Sequence, residues 1–396
     1  MHPELRARFN ADFTPAKYDA LINCLNTTEY WPSHFRTAES PIFLTREFTE
    51  EIVTAANEIV ELTRTPAFAR YAADAIPDGL SVPNETAHPN FIAVDFGVCS
   101  HEGRLVPRLI ELQGFPSLYG FQFLLLDCMR RAYPAIPADW TSAFGGIRDD
   151  DYLGILRRAV FGDCDPENVV LLEIEPEKQN TRIDFASTER LLGIKPVCVT
   201  KIKKRGRRLF YEDDGRDVQI DRVFNRVIFD ELLRRSDLRL AFSFQDDLDI
   251  EWAGHPNWYF RISKHSLPFL NTNYTSPAYF ADEFPDSQSL NDFVLKPLYS
   301  FAGAGVDLAP TAQKLSSLEK PHEWILQTKV SYADFVATPD GQRSKAEIRM
   351  LYVWPDDWEP TLVNNLVRLS QGAMMGVKFN KDKTWVGSSI ALLQRD

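Results

Sequence analysis

FIAVDFGVCSHEGRLVPRLIELQ (Phe91–Gln113) reads as two alternating strands joined by a turn, and the fold is decided there. Ile92, Val94, Phe96 and Val98 fall on one side of the first strand, which should pack inward. Phe91, Ala93, Asp95 and Gly97 fall on the other. In the returning strand Ile110 and Leu112 share the apolar side, while Leu109, Glu111 and Gln113 share the opposite one. A three-residue loop around Gly103 sets Asp95 opposite Glu111, and other loop lengths shift that register. Two carboxylates so placed repel by roughly 4 kcal/mol at ~4 Å and an effective dielectric of ~20. A divalent cation between them turns the cost into binding energy. Hard oxygen ligands, with Gln113 supplying a third, favour magnesium over zinc. A solvated polar face, screened by water, is the alternative on these residues alone.

Further along, VLKPLYSFAGAGV (Val294–Val306) has a lysine, Lys296, at the end of a strand. Pro297 breaks the strand, Ser300, Gly303 and Gly305 make the loop flexible, and Val306–Leu308 resumes a strand. Small residues let backbone N–H groups approach phosphate oxygens. No Gly-Lys-Ser/Thr follows, so this is not a Walker loop, and an ordinary glycine hairpin is the competing reading. Its neighbourhood is cationic: Lys264 lies upstream in WYFRISKHSLPFL, Arg349 in the strand EIRMLYVW, and Arg368 in VRLSQGAMMG. EWILQTKV (Glu323–Val330) reads as an apolar strand with Gln327 near its end. Two lysines and two arginines in one region of an acidic protein suit a tetra-anionic nucleotide.

Upstream, Thr49–Arg64 places Ile52, Ala55, Ile59 and Leu62 on one helical face, and residues from about 14 to 75 read mainly as helix. Phe121–Ala132 is a further helix. From Val169 a strand, a helix near Asp184–Leu192 and the strand PVCVT alternate as in a Rossmann-like unit. The expected division is a helical N-terminal part (1–80), a portion with the carboxylate hairpin (81–165), a Rossmann-like α/β subdomain (166–255) and a nucleotide-binding remainder (256–396).

The chain has 396 residues and a net charge of −12, which argues against a nucleic-acid binder that neutralises phosphates. The basic run KIKKRGRR (Lys201–Arg208) reads as a solvated hairpin, or else as a patch for an anionic substrate. Cys24, Cys99, Cys128, Cys164 and Cys198 are scattered and odd in number, so neither a zinc site nor a disulfide framework is expected. MHPELRARFNADF is charged where a signal peptide needs an apolar core, and FQFLLL (Phe121–Leu126) is too short to cross a bilayer. A cytoplasmic location is the default expectation. The histidines lack HExxH spacing, and GFPSLYG (Gly114–Gly120) is not a hydrolase nucleophile elbow.

With these motifs in place, the chain resembles the ATP-grasp superfamily, in its permuted branch with glutathionylspermidine synthetase and eukaryotic glutathione synthetase. The likeness rests on Asp95, on Glu111-Leu112-Gln113 lying before the glycine loop, and on KPLYSFAGAGV, WILQTKV, FNRVIFDEL (Phe224–Leu232) and RLSQGAMMG. It touches most of the chain from about residue 90 onward, in short motifs, and leaves the helical N-terminal part uncovered. Gln113 stands where the family has Asn. The resemblance implies an α/β ATP-grasp fold with permuted motif order, ATP and magnesium as cofactors, and a reaction that joins a small carboxylate to an amine through an acyl phosphate. It implies that Asp95, Glu111 and Gln113 hold magnesium, that Lys264 and Lys296 contact phosphates beneath the Ser300–Gly303–Gly305 loop, and that Gln327 and Val330 border the adenine. Arg349, with Lys296 and Arg368, would stabilise the transferred phosphoryl group. A nucleotide-binding regulatory protein without catalysis, and a phosphotransferase using the same site, are the rival readings.

Overall fold

The fold, taken from a computed structural model, is described for residues 1–26, 31–300, 303–372, 375 and 379–395. Helices α1 (Pro3–Asp12), α2 (Pro15–Leu25) and α3 (Arg46–Thr63) come first. Thr14 and Thr45 cap α2 and α3, their side-chain oxygens accepting from the N–H groups of Lys17 and Phe48. The hairpin is β1 (Phe91–His101) and β2 (Arg104–Gln113), followed by α4 (Tyr119–Ala132) and α5 (Asp149–Phe161). Then come β3 (Val169–Glu173), α6 (Arg182–Leu192), β4 (Lys195–Cys198), β5 (Arg222–Asn225) and β6 (Glu251–Ala253). The last third holds β7 (Ala278–Phe280), β8 (Phe293–Pro297), β9 (Trp324–Thr328), β10 (Arg343–Val353), β11 (Thr361–Ser370) and β12 (Gly387–Ser389).

Three sheets position the site. The central one is antiparallel in the order β12-β11-β10-β1-β2. On one face, Val94, Phe96, Ile348 and Met350 pack with Ile52, Ala55 and Ile59 of α3, so the N-terminal helix closes the main core. On the other, Phe91, Ala93, Leu351 and Val353 pack with Leu156 of α5 and Phe185 of α6. The second sheet is parallel, in the order β6-β5-β3-β4, and corresponds to the alternation that begins at Val169. The third, β7-β9-β8, is antiparallel and bears Lys296 and Gln327.

The hairpin departs from expectation in an instructive way. Its turn has two residues, Glu102 and Gly103, both with positive φ (49° and 78°), and His101 pairs with Arg104. That is the geometry of a type I′ turn. Alone, such a turn would bring Asp95 opposite Ile110. A bulge between Asp95 and Phe96 inserts one extra residue in β2, and Asp95 faces Glu111 after all. The same bulge corrects the assignment of faces: Leu109, not Ile110, joins Leu112 in the core.

Other corrections follow. Cys24 and Cys128, 104 positions apart, form a disulfide that ties α2 to α4. The expectation that the cysteines stay unpaired fails for these two. Among the described residues no helix is long and apolar enough to cross a membrane. Val306–Leu308 forms no strand; Asp307 makes a single bridge to Leu295. Phe301 and Ala302 of the glycine loop, and Ala373, Met374 and Gly376 of RLSQGAMMG, lie outside the described residues. The basic run folds into a meander (Lys203–Arg205, Arg208–Asp213, Arg216–Ile220) in which Lys203, Lys204, Arg205 and Arg207 meet carboxylates. Lys203 meets Glu212 and Asp217, Lys204 meets Asp246, and Arg207 meets Asp247 and Asp249. Most of the run's charge is thereby met by the chain's own carboxylates.

Candidate active site

The sheet register builds the site. Ala93, Asp95 and Gly97 of β1 stand beside Leu351, Arg349 and Glu347 of β10. Side chains two apart share a face, so one face passes from apolar to charged within a single strand repeat. Glu347 is in turn opposite Arg368 of β11, and Asp95 opposite Glu111 of β2. Arg349 donates to Asp95 through Nε at 2.6 Å and Nη2 at 2.7 Å, a bidentate fork between buried groups. Arg368 Nη2 lies 2.8 Å from both Asp95 Oδ2 and Glu347 Oε2. Tyr332 donates its hydroxyl to Glu347 Oε1.

The third sheet brings Lys296, and a short 3-10 turn upstream of it (Lys264–Ser266) brings Lys264. Lys264 Nζ lies 3.1 Å from Glu111 Oε1 and donates to the carbonyls of Leu298 at 3.3 Å and Ser300 at 2.9 Å. Lys296 Nζ donates to Gln327 Oε1 at 2.6 Å and to the Ile110 carbonyl at 3.3 Å. Gln327 Nε2 donates to the Leu109 carbonyl at 3.1 Å. The bulge in β2 is thus where the third sheet is fastened.

Three carboxylates (Asp95, Glu111, Glu347) meet four cations (Lys264, Lys296, Arg349, Arg368) here. The repulsion expected between Asp95 and Glu111 is offset by the chain's own basic groups. Burial alone would raise the Asp95 carboxyl, but Arg349 and Arg368 outweigh it and hold the group below its ordinary range. Burial likewise pushes Glu111 up, and Lys264 with Lys296 brings it below its usual value. Lys296 is pushed down to about 8 by burial, with Glu111 acting against that shift.

Glu111, Gln113, Lys264, Leu298, Tyr299 and Ser300 line one cleft, with a cavity of about 20 Å³. That is room for roughly one water, against ~300–1,000 Å³ for a typical ligand pocket. A ligand of nucleotide size does not fit this cleft as it stands. Gly303 and Gly305 have positive φ (71° and 75°), as a tight loop requires. Val330 is half-buried, two residues past the end of β9.

Among the described residues no three His, Cys, Asp or Glu side chains converge as a metal-binding set. Magnesium needs only one or two carboxylates when phosphate oxygens complete its shell. Glu111 and Gln113, together on the cleft wall, meet that requirement. Asp95 does not, because both its oxygens are held by guanidinium groups.

Sequence reasoning missed Glu347 and Tyr332. Glu347 was visible in principle, since it lies two residues before Arg349 on one strand face. It also missed a polar cluster at the carboxyl ends of β3 and β5, where open α/β sheets place ligands. Arg226 pairs with Asp184 at 2.6 Å, both buried, and Asp184 accepts from the N–H groups of Leu118 (3.0 Å) and Phe121 (2.9 Å) at the start of α4. Beside them Glu173 is pushed up to about 8 by burial. The Gln122 side-chain amide and Asn225 Nδ2 are buried with no hydrogen-bond partner among the described residues.

No protein-family model matches the chain, and no curated protein matches it by sequence. Among solved structures it matches a glutathione synthetase-like effector from Globodera pallida in its apo form. The match covers 98% of this chain and 99% of the other, with a TM-score of 0.57 and 11% identity. The fold is similar to that of a glutathione synthetase-like protein. At that identity the likeness concerns the fold alone.

Proposed function

We propose that the chain is an ATP-dependent ligase of the permuted ATP-grasp type, joining a small carboxylate to an amine. The observation that carries this reading is the convergence of Lys264, Lys296, Arg349 and Arg368 with Glu111 and Gln113, drawn from distant segments, around one cleft and sheet face. In the reaction a substrate carboxylate oxygen takes the γ-phosphoryl group, giving an acyl phosphate and ADP. The amine then attacks the carbonyl carbon, phosphate leaves, and the amine loses a proton. Catalysis of this kind rests on positioning and charge neutralisation.

Lys264 would exchange the carbonyls of Leu298 and Ser300 for phosphate oxygens as the loop lifts, and Lys296 would neutralise charge beside it. Gln327 and Val330 would border the base. Arg349 and Arg368 would face the transferred group. Magnesium, held by Glu111 and Gln113 when bound, supplies charge neutralisation on the polyphosphate. Glu173, Asn225 and the Gln122 amide offer donors and acceptors for the polar ends of the two small substrates.

The test is the release of ADP and phosphate with candidate amino acids and polyamines. A ligase releases both only when acid and amine are present together. A stable phosphorylated product would replace this reading with a phosphotransferase. A second reading, a nucleotide-binding protein without turnover, is favoured by the nearly closed cleft and predicts ATP binding with no product under any pairing.

A further inference from the structure

We propose that Asp95 and Glu347 are positioning residues that hold Arg349 and Arg368 as one fixed oxyanion-binding pair, and that Asp95 is not a metal ligand. The inference deepens the proposed reaction and rests on that reading only for the identity of the anion.

Asp95 sits on β1, an interior strand flanked by β2 and β10, and has no exposed surface. Its Oδ1 and Oδ2 close a fork with Nε and Nη2 of Arg349, and Oδ2 also accepts from Nη2 of Arg368. These contacts leave Nη1 of both guanidiniums outside the Asp95 bonds. Two guanidiniums brought this near repel each other, and the carboxylate between them both offsets that repulsion and fixes each plane. A carboxylate in such a fork must release an arginine before it can take a cation. Glu111 meets a cation at Oε1 alone, Lys264 at 3.1 Å, which leaves Oε2 to a metal without an arginine being released.

Glu347 completes the arrangement from the far side. Its Oε2 lies 2.8 Å from Arg368 Nη2, and its Oε1 accepts from the Tyr332 hydroxyl. Tyr332 reaches that place because residue 97 is glycine: a Cβ there would come within 2.7 Å of the tyrosine ring. The line Tyr332–Glu347–Arg368–Asp95–Arg349 therefore fixes the two cations relative to the sheet. Arg368 is 34% exposed against 9% for Arg349, so the pair has one buried anchor and one arm turned to solvent. A planar or tetrahedral oxyanion, such as a carboxylate or phosphoryl group, is the ligand such a pair accepts.

The experiment is calorimetric titration of the full chain with inorganic tripolyphosphate in EDTA, using wild type, Asp95→Asn, Arg349→Lys and the double variant. A hydrogen bond to a charged group corresponds to about tenfold in affinity or more, so Asp95→Asn should weaken binding about tenfold. In the Arg349→Lys background the same change should matter by about twofold at most, because Asp95 acts through that arginine. A metal ligand, or a merely structural residue, would cost the same in both backgrounds. Adding magnesium should shift the affinity of Asp95→Asn as much as that of wild type, while Glu111→Gln abolishes the shift. Unchanged or tighter binding by Asp95→Asn, an equal loss in both backgrounds, or wild type that fails to bind without metal overturns the proposal. If Asp95→Asn does not fold, Glu347→Gln decides: a loss of about fivefold or more supports it and no loss overturns it. ATP run in parallel separates the two claims. ATP bound no better than tripolyphosphate removes the nucleotide reading and leaves the arginine pair standing, whereas ADP release by a chain that fails the Asp95 test does the reverse.

Discussion

Raising the pH from 7 to 9 should weaken ATP binding, and Lys296 sets the size of the effect. Its ammonium belongs to a half-buried side chain with two neutral partners, Gln327 Oε1 and the Ile110 carbonyl, so desolvation outweighs the help from Glu111 and the group titrates near 8. At pH 7 about nine-tenths of the molecules carry this charge, and at pH 9 about one-tenth. A polyphosphate needs the charged form, so affinity should fall about tenfold across that range, or ~1.4 kcal/mol. Binding at pH 8 to 9 should take up a proton, measurable by calorimetry in buffers of different ionisation enthalpy. Lys296→Arg should flatten the profile without abolishing binding, and Lys296→Met should weaken binding and flatten it. The sign for stability is opposite to that of a paired lysine. The folded group titrates at about 8 and the unfolded one at 10.5, so the penalty for burying the charge is full below 8 and is relieved as pH climbs toward 10.5. Wild type with unchanged affinity between pH 7 and 9, beside a Lys296→Met variant that no longer binds, would refute this reasoning.

Two further outcomes are expected. The disulfide closes a loop of 104 residues, for which chain entropy suggests about 4–5 kcal/mol, so reduction or Cys24→Ser should lower the denaturation midpoint clearly in an unfolding titration. Gly97→Ala should displace the Tyr332 ring and cost about 1–3 kcal/mol of stability, seen as a lower melting temperature, together with weaker tripolyphosphate binding.

What the sequence discloses, and what it hides, divides along physical lines. Alternation in Phe91–Val98 was legible because a strand buried on one face must repeat every two residues, and Ile92, Val94, Phe96 and Val98 do pack together. The Asp95–Glu111 pairing was reached from the wrong turn length. A bulge supplied the missing residue, and bulges leave no mark in composition. The parallel sheet was legible from the strand–helix–strand alternation after Val169. The cations opposite Asp95 were not, because strand pairing between β1 and β10 spans some 250 residues and no local pattern sets it. The sequence argument set a metal beside Asp95, and the fold sets Arg349 and Arg368 against both of its oxygens. The bond between Cys24 and Cys128 was illegible for the same reason, since 104 positions separate them and only the packing of α2 on α4 brings them together. Glu173 and Asp184 looked like ordinary acidic residues of a strand and a helix until burial gave them a setting.

The central claim is that segments near residues 111, 264, 296 and 349 close on one nucleoside triphosphate. A crystal structure of the chain with a non-hydrolysable ATP analogue tests it most directly. The account predicts phosphate oxygens within hydrogen-bond reach of Lys264 and Lys296, Glu111 and Gln113 on the same side of the polyphosphate, and the loop after β8 lifted from its present contacts. An analogue bound elsewhere, or a cleft still shut by Lys264 on the Ser300 carbonyl at saturating ligand, would contradict it.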